Sequence, residues 1–236
     1  LNSRTFERKA LPKPPDNGYF IWGRHTVFAA IGNPNRRIQK IYVSADKTKE
    51  FKNTFSESEK NFGKKPPPMQ TIDRTRLDNL CNTNEKAVHQ GIVAAVWPLD
   101  TPSLKTFLQQ LEEKSNTSPV RVLILDRLSD PRNVGAIMRS AHAFGVAAVI
   151  ITHRNAAEEN GALAKAASGA LDYIPLIRVG NLARGMELLQ KMGYKIFDKK
   201  DEIFFKYNPI KKFKKTENKK ISNESPFKIL KNLNLN

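Results

Sequence analysis

A chain of 236 residues with 39% apolar content is long enough for one large domain or two small ones with real cores. Its 40 Lys and Arg against 23 acidic residues give a formal charge of +17, which favours a polyanionic partner, nucleic acid first, although a solvated basic surface accounts for the charge equally well. A lone Cys81 excludes any disulfide framework or thiolate cluster within the chain and points to a reducing compartment, the cytoplasm, and no apolar run approaches a membrane span.

Residues 1–17 are polar and basic, with Pro12, Pro14 and Pro15 opposing regular structure, and read as a flexible arm. A first α/β unit follows over 18–98. Val27, Phe28 and Ile31 have helical spacing, Ile38 to Ser44 alternates like a strand, Arg74 to Cys81 suits a short helix, and Ile92 to Leu99 is a continuous β-prone run. Residues 99–119 are a linker containing a helix with polar ends. Val120 to Leu125 is apolar on both faces, as a buried parallel strand would be, and opens a second unit over 120–198. Strand-like runs at Val146 to Thr152, Tyr173 to Val179 and Tyr194 to Phe197 recur at βαβ spacing, which predicts a parallel sheet.

The alternation then ends. Of the 38 residues from 199 to 236, 25 are Lys, Asn, Ile or Phe with no sustained period, and they carry a net charge of +7. This composition predicts a disordered, non-homologous tail produced by a frameshift or truncation, and a sheet left with an uncovered edge. A solvated tail that assists RNA binding is the competing reading.

The segment from Leu123 to Gly145, LILDRLSDPRNVGAIMRSAHAFG, is the most informative. Asp130 can cap a helix whose first turn holds Pro131, and Gly145 supplies a left-handed stop. Val134, Ile137, Met138 and Ala141 recur at i, i+3, i+4 and i+7 and face a core. Arg132 and Arg139, seven residues apart, project from the opposite face, where such a pair can clamp phosphate. Asn133 sits in the first turn, where free N–H groups receive anions or polar ligands. On spacing alone, a surface helix with two solvated arginines is the commoner explanation.

DPRNVGAIMRSAHAFG resembles the first motif block of the SpoU/TrmH family of RNA 2′-O-ribose methyltransferases. KAASGALDYIP, from Lys165 to Pro175, is similar to the family's small-residue turn and following strand. IWGRHTVFAA, from Ile21 to Ala30, and HQGIVA, from His89 to Ala94, resemble both ends of the substrate-binding domain attached to many members, a combination similar to the large-subunit rRNA guanosine enzyme. The resemblance covers about 18–198. It implies a SPOUT fold with a trefoil-knotted parallel-sheet domain behind a small α/β RNA-binding domain, working as a homodimer on ribosomal RNA with S-adenosylmethionine. By the same resemblance Arg139 acts near the ribose 2′-hydroxyl or its phosphate and Asn133 supports the active-site architecture.

The family's second block, a Gly-Glu-Gly turn, and its third, a proline followed by a Ser-Leu-Asn run, do not follow Phe197; the nearest stretch is NLNLN at 232–236. The expectation is therefore an incomplete methyl-donor pocket with no assignable cofactor residue, and an RNA-binding remnant without activity is the alternative to a working enzyme. Arg36, Arg37 and Lys40, beside the strand bearing Tyr42, are candidate RNA contacts, although an ordinary solvated turn explains them too. His25, His89, His142 and His153 lack metal-ligand spacing, and no GxGxxG turn or Walker loop is present.

Overall fold

The computed structural model describes residues 10–53, 55, 67–81, 87–113, 120–154, 156–199 and 202–207. The expected basic arm falls largely on 1–9, and most of the expected tail on 208–236, both outside the described residues. Among the described residues no helix is long and apolar enough to cross a membrane.

The first half contains β1 (Tyr19–Trp22), α1 (Arg24–Gly32), β2 (Ile38–Ser44), β3 (Met69–Ile72), α2 (Arg74–Leu80) and β4 (Ile92–Val96). They form a sheet in the order β1-β4-β2-β3, with β4 antiparallel to both neighbours and β2 parallel to β3. Central β4, IVAAV, is buried along its whole length, which is why it reads as a continuous apolar run rather than an alternating one. The run expected to reach Leu99 ends at Val96, just before Pro98, which lacks a ladder N–H. Phe28 of α1 packs with Phe51 and Phe55 of the helical stretch after β2, ring centroids lying 5.8 to 6.2 Å apart.

After α3 (Leu104–Glu113), the second half runs β5 (Arg121–Leu125), α4 (Pro131–Ala143), β6 (Ala148–Thr152), α5 (Gly161–Ala167), β7 (Leu176–Val179), α6 (Leu182–Lys191), β8 (Tyr194–Lys199) and β9 (Glu202–Tyr207). Its sheet has the order β7-β6-β5-β9-β8. Strands β5, β6 and β7 are parallel, as their crossover helices require. The end of the sheet differs from expectation. Residues 202–207, placed by composition in a disordered tail, form β9, which inserts between β5 and β8 antiparallel to both. The edge of β5 is thus paired, and β9 is the one strand of the five that runs against the others, β8 keeping the direction of β5, β6 and β7. The strand expected from Tyr173 starts at Leu176, because a left-handed turn at Ser168 and Gly169 leads into a 3-10 turn over Ala170–Asp172.

The two halves share one continuous apolar core. Ile21, Val27 and Val96 of the first pack in the same cluster as Val134, Met138, Leu163 and Ala167 of the second. Fully burying each of the larger side chains among them contributes about 1.5–3 kcal/mol, so the seam is a major part of stability. A Cβ on Gly161 would lie 2.1 Å from the Trp22 ring and 2.3 Å from the Phe20 carbonyl, so the start of α5 lies directly on β1.

Candidate functional site

The helix α4 is built as its sequence demands. The Asp130 carboxylate accepts the Arg132 N–H at 2.9 Å, Pro131 opens the helix, and Gly145 closes it at φ +67°. Val134, Met138 and Ala141 are buried, while Ile137 is only partly so. Gly135 also belongs to the buried face. A Cβ there would meet the Leu163 carbonyl at 2.4 Å and Ala166 at 2.7 Å, so the absence of a side chain lets α4 and α5 touch backbone to backbone. Val134, Met138 and Ala141 hold the opposite side of the helix against the core, which leaves Arg132, Asn133 and Arg139 exposed, with Gly135 at the edge of their face. Three polar groups that can hold a phosphate and a sugar edge therefore share one surface of one rigid helix.

At the last turn of this helix the His142 ring stacks on Tyr173 at 4.8 Å between centroids and 7° between planes. Tyr173 is 64% exposed and Phe144 75%. In sequence Tyr173 reads only as the start of a strand. Its position after a small-residue left-handed turn is the one local signal that it leaves the core.

The first-half candidates divide. Arg37 is exposed, with its guanidinium 5.3 Å from the Trp97 ring centroid, and Lys40 reaches Gln70 Oε1 at 3.4 Å. Both lie on a different half from Arg139. Arg36 must be removed from any RNA surface. Its side chain is fully buried and donates to Asp172 Oδ1 at 2.8 Å, Glu159 Oε1 at 2.9 Å and the Trp97 carbonyl at 3.0 Å. Tyr19 donates to the same Glu159 oxygen at 2.5 Å, and Asn33 donates to Asp172 at 3.1 Å. Burial, then the neighbouring Glu159 carboxylate, pushes the Tyr19 hydroxyl far above its ordinary range, so it stays a donor. A basic run before a strand cannot distinguish a solvated arginine from one whose partners lie more than a hundred residues away.

The segments IWGRHTVFAA and HQGIVA meet in space. His89 is buried and neutral: its Nδ1 accepts the Gly91 N–H at 3.0 Å while Nε2 lies 3.2 Å from Asp78 Oδ1. Burial holds its pKa below the ordinary histidine value. The resulting turn places Gln90 at φ +56°, and its Oε1 accepts the Arg24 N–H at 2.9 Å, capping α1. Lys165 from the KAASGA segment reaches the same place, since its Nζ would lie 2.3 Å from a Cβ on Gly23.

This arrangement defines an α/β protein with a small sheet domain fused to a mainly parallel one and a polar helix face exposed beside the seam. Solved structures share that fold. The SpoU methyltransferase AviRb from Streptomyces viridochromogenes, in complex with the cofactor AdoMet, is similar with a TM-score of 0.54 at 16% identity, covering 75% of this chain and 60% of that one. An AdoMet-bound rRNA methyltransferase from Sinorhizobium meliloti is similar with a TM-score of 0.50 at 15% identity, covering 73% and 59%.

Residues 120–221 match the SpoU rRNA Methylase family, and residues 20–102 match the RNA 2′-O ribose methyltransferase substrate-binding domain. A Staphylococcus aureus protein assigned to the TrmH family of tRNA/rRNA methyltransferases is 39% identical over 176 residues, and one from Staphylococcus haemolyticus is 36% identical over 174. Each alignment takes in 74% of this chain, which spans 66% of the length of these relatives. The chain belongs to the SpoU/TrmH family.

Proposed function

We propose that this chain is an RNA methyltransferase that transfers a methyl group from S-adenosylmethionine to a ribose 2′-hydroxyl in ribosomal RNA. The observation that carries the reading is the exposed Arg132, Asn133 and Arg139 face of α4, presented beside a substrate-binding domain that a buried polar network and a shared core fix to it. S-adenosylmethionine, when bound, supplies an electrophilic methyl carbon. The chain's own task is to hold the hydroxyl oxygen in line with that carbon and to stabilise negative charge as the hydroxyl proton leaves. Arg139 does this by holding the adjacent phosphate, and Asn133 orients the ribose edge. The exposed Tyr173 and Phe144 rings support a second copy as partner, forming a homodimer.

RNA binding without methyl transfer is the second reading, favoured by one specific observation. Residues 199–236 contain no Gly-Glu-Gly turn and no proline followed by Ser-Leu-Asn, the two blocks that the family resemblance associates with the donor pocket.

Calorimetric titration of the folded chain with S-adenosylmethionine, followed by transfer of labelled methyl to ribosomal RNA, separates the two. Saturable binding and 2′-O-methylated product support the enzyme. A folded chain that binds RNA but neither binds the donor nor transfers methyl supports the second reading.

A further inference from the structure

Where the two segments of the substrate-binding domain converge, a pocket of about 240 Å³ opens between α1, the end of β2 and the start of α2. Arg24, Lys47 and Arg74 line it together with Ser44, Asp46 and Glu50. We infer that this pocket is a phosphate site that grips the RNA backbone away from the methylation helix, with Arg74 and Ser44 as its main donors. The inference rests on the reading of the chain as an RNA-binding protein and names where the first domain holds its substrate.

Four observations support it. First, the Ser44 hydroxyl is buried, its residue 2% exposed, and it is without a hydrogen-bond partner of normal geometry among the described residues, a state that costs stability unless a ligand or water satisfies it. Asp46 lies close enough for its carboxylate to be influenced by that hydroxyl, but not in hydrogen-bonding position. Second, two of the cations are already held in place. Glu50 contacts Arg24 Nη1 at 2.6 Å and Lys47 Nζ at 2.8 Å, so three cations face two carboxylates and the lining keeps a net positive charge. Third, Arg24 opens α1, at the end where the backbone already carries positive partial charge, and the first turn of α1 has no acidic residue. Glu50 offsets part of that positive charge in the free protein, and a bound anion would offset more of it. Fourth, His89 is committed to shaping the Gln90-Gly91 turn that forms one wall. The volume leaves room for a phosphoryl group.

The test uses the full chain and a fluorescent ribosomal RNA hairpin, with affinity measured across a range of salt. Arg74→Ala, on an exposed side chain, is expected to weaken binding roughly tenfold near 0.1 M salt and to lower the salt slope by about one. Ser44→Ala is expected to weaken RNA binding while leaving the unfolding midpoint little changed, because the hydroxyl it deletes makes no bond of normal geometry; a purely structural role for Ser44 would lower the midpoint instead. Inorganic phosphate, titrated against amide NMR shifts of Ser44, Arg74 and Gly91, separates the sources of anion. If phosphate shifts these amides but neither variant changes RNA affinity, the pocket serves a free anion and the assignment to RNA is overturned. If the parent chain binds the hairpin and the variants match it with no phosphate response, the pocket is overturned and RNA binding stands. If the parent chain itself does not bind RNA, the underlying reading fails and this inference falls with it.

Discussion

The Arg36 guanidinium and the Asp172 carboxylate meet at 2.8 Å across the boundary between the two halves, with side chains 0% and 1% exposed. A buried pair of this kind adds little over an apolar isostere, yet breaking it strands a charge. Replacing Arg36 with Ala leaves Asp172 and the Glu159 carboxylate without their shared cation. The expected loss is about 3–5 kcal/mol. Arg36→Lys recovers only part, because an ammonium cannot reproduce the fork that reaches both acids. Denaturant midpoints for the three proteins check this, and a neutral R36A would show that the seam does not depend on the pair.

Glycine substitutions test the contact that seats α4 on α5. Gly135→Ala drives a methyl group into the α5 backbone at 2.4 Å, where nothing flexible can yield, so a loss of about 1–3 kcal/mol or more is expected. Gly32, in the last turn of α1, has no positive φ, and a Cβ added to it would have nothing within 4 Å. Gly32→Ala is therefore expected to stabilise by about 0.4–1 kcal/mol. Opposite signs from the same chemical change are the outcome to look for in thermal unfolding.

Much of this molecule is legible in its sequence, for identifiable reasons. The α4 boundaries follow from Asp130, Pro131 and Gly145, whose effects are local, and the buried face follows from period. Arg36 reads as a surface residue because its partners, Glu159 and Asp172, are distant in sequence and only the fold brings them together. The β9 strand is masked by a Lys- and Asn-rich composition that outweighs the short run Ile203, Phe204 and Phe205, whose pairing to β5 is non-local. The pocket in the first half is equally hidden, since Arg24, Lys47 and Arg74 share no spacing pattern.

His89 makes stability depend on pH. Burial holds its folded-state pKa below the ordinary value of 6.5, opposed by Asp78 and reinforced by Arg74 and Lys165. The unfolded chain therefore takes up a proton at a pH where the folded chain does not. Stability from this residue is full above about 6.5 and declines as pH falls from there to the lower folded-state value. Asp46 and Glu50 are also held low, Asp46 chiefly by the nearby Ser44 hydroxyl and Glu50 by Lys47, so their contributions are lost only further down, below ordinary values of 3.8 and 4.5. Urea midpoints at pH 7.5 and 5.5 are expected to fall in the parent chain and to change less in His89→Asn. Equal slopes in both proteins would remove His89 as the cause.

The proposed methyl transfer is tested most directly at Arg139. It is exposed on α4, away from the Val134 and Met138 face, so Arg139→Ala removes a charge without opening a cavity, and the unfolding midpoint should stay within about 0.5 kcal/mol of the parent. If the guanidinium stabilises charge that develops as the 2′-hydroxyl reacts, the rate at saturating RNA and donor falls roughly 100- to 1,000-fold. RNA affinity falls far less, because only one of several cations is lost. Arg139→Lys keeps the charge but not the fork, and so should restore affinity more fully than rate. Single-turnover transfer with the three proteins reads the rate, and hairpin binding reads the affinity. A parallel loss of both in Arg139→Ala, fully rescued by Lys, would make Arg139 a docking charge and move the reacting group elsewhere on the same helix face, with Asn133 the next residue to replace.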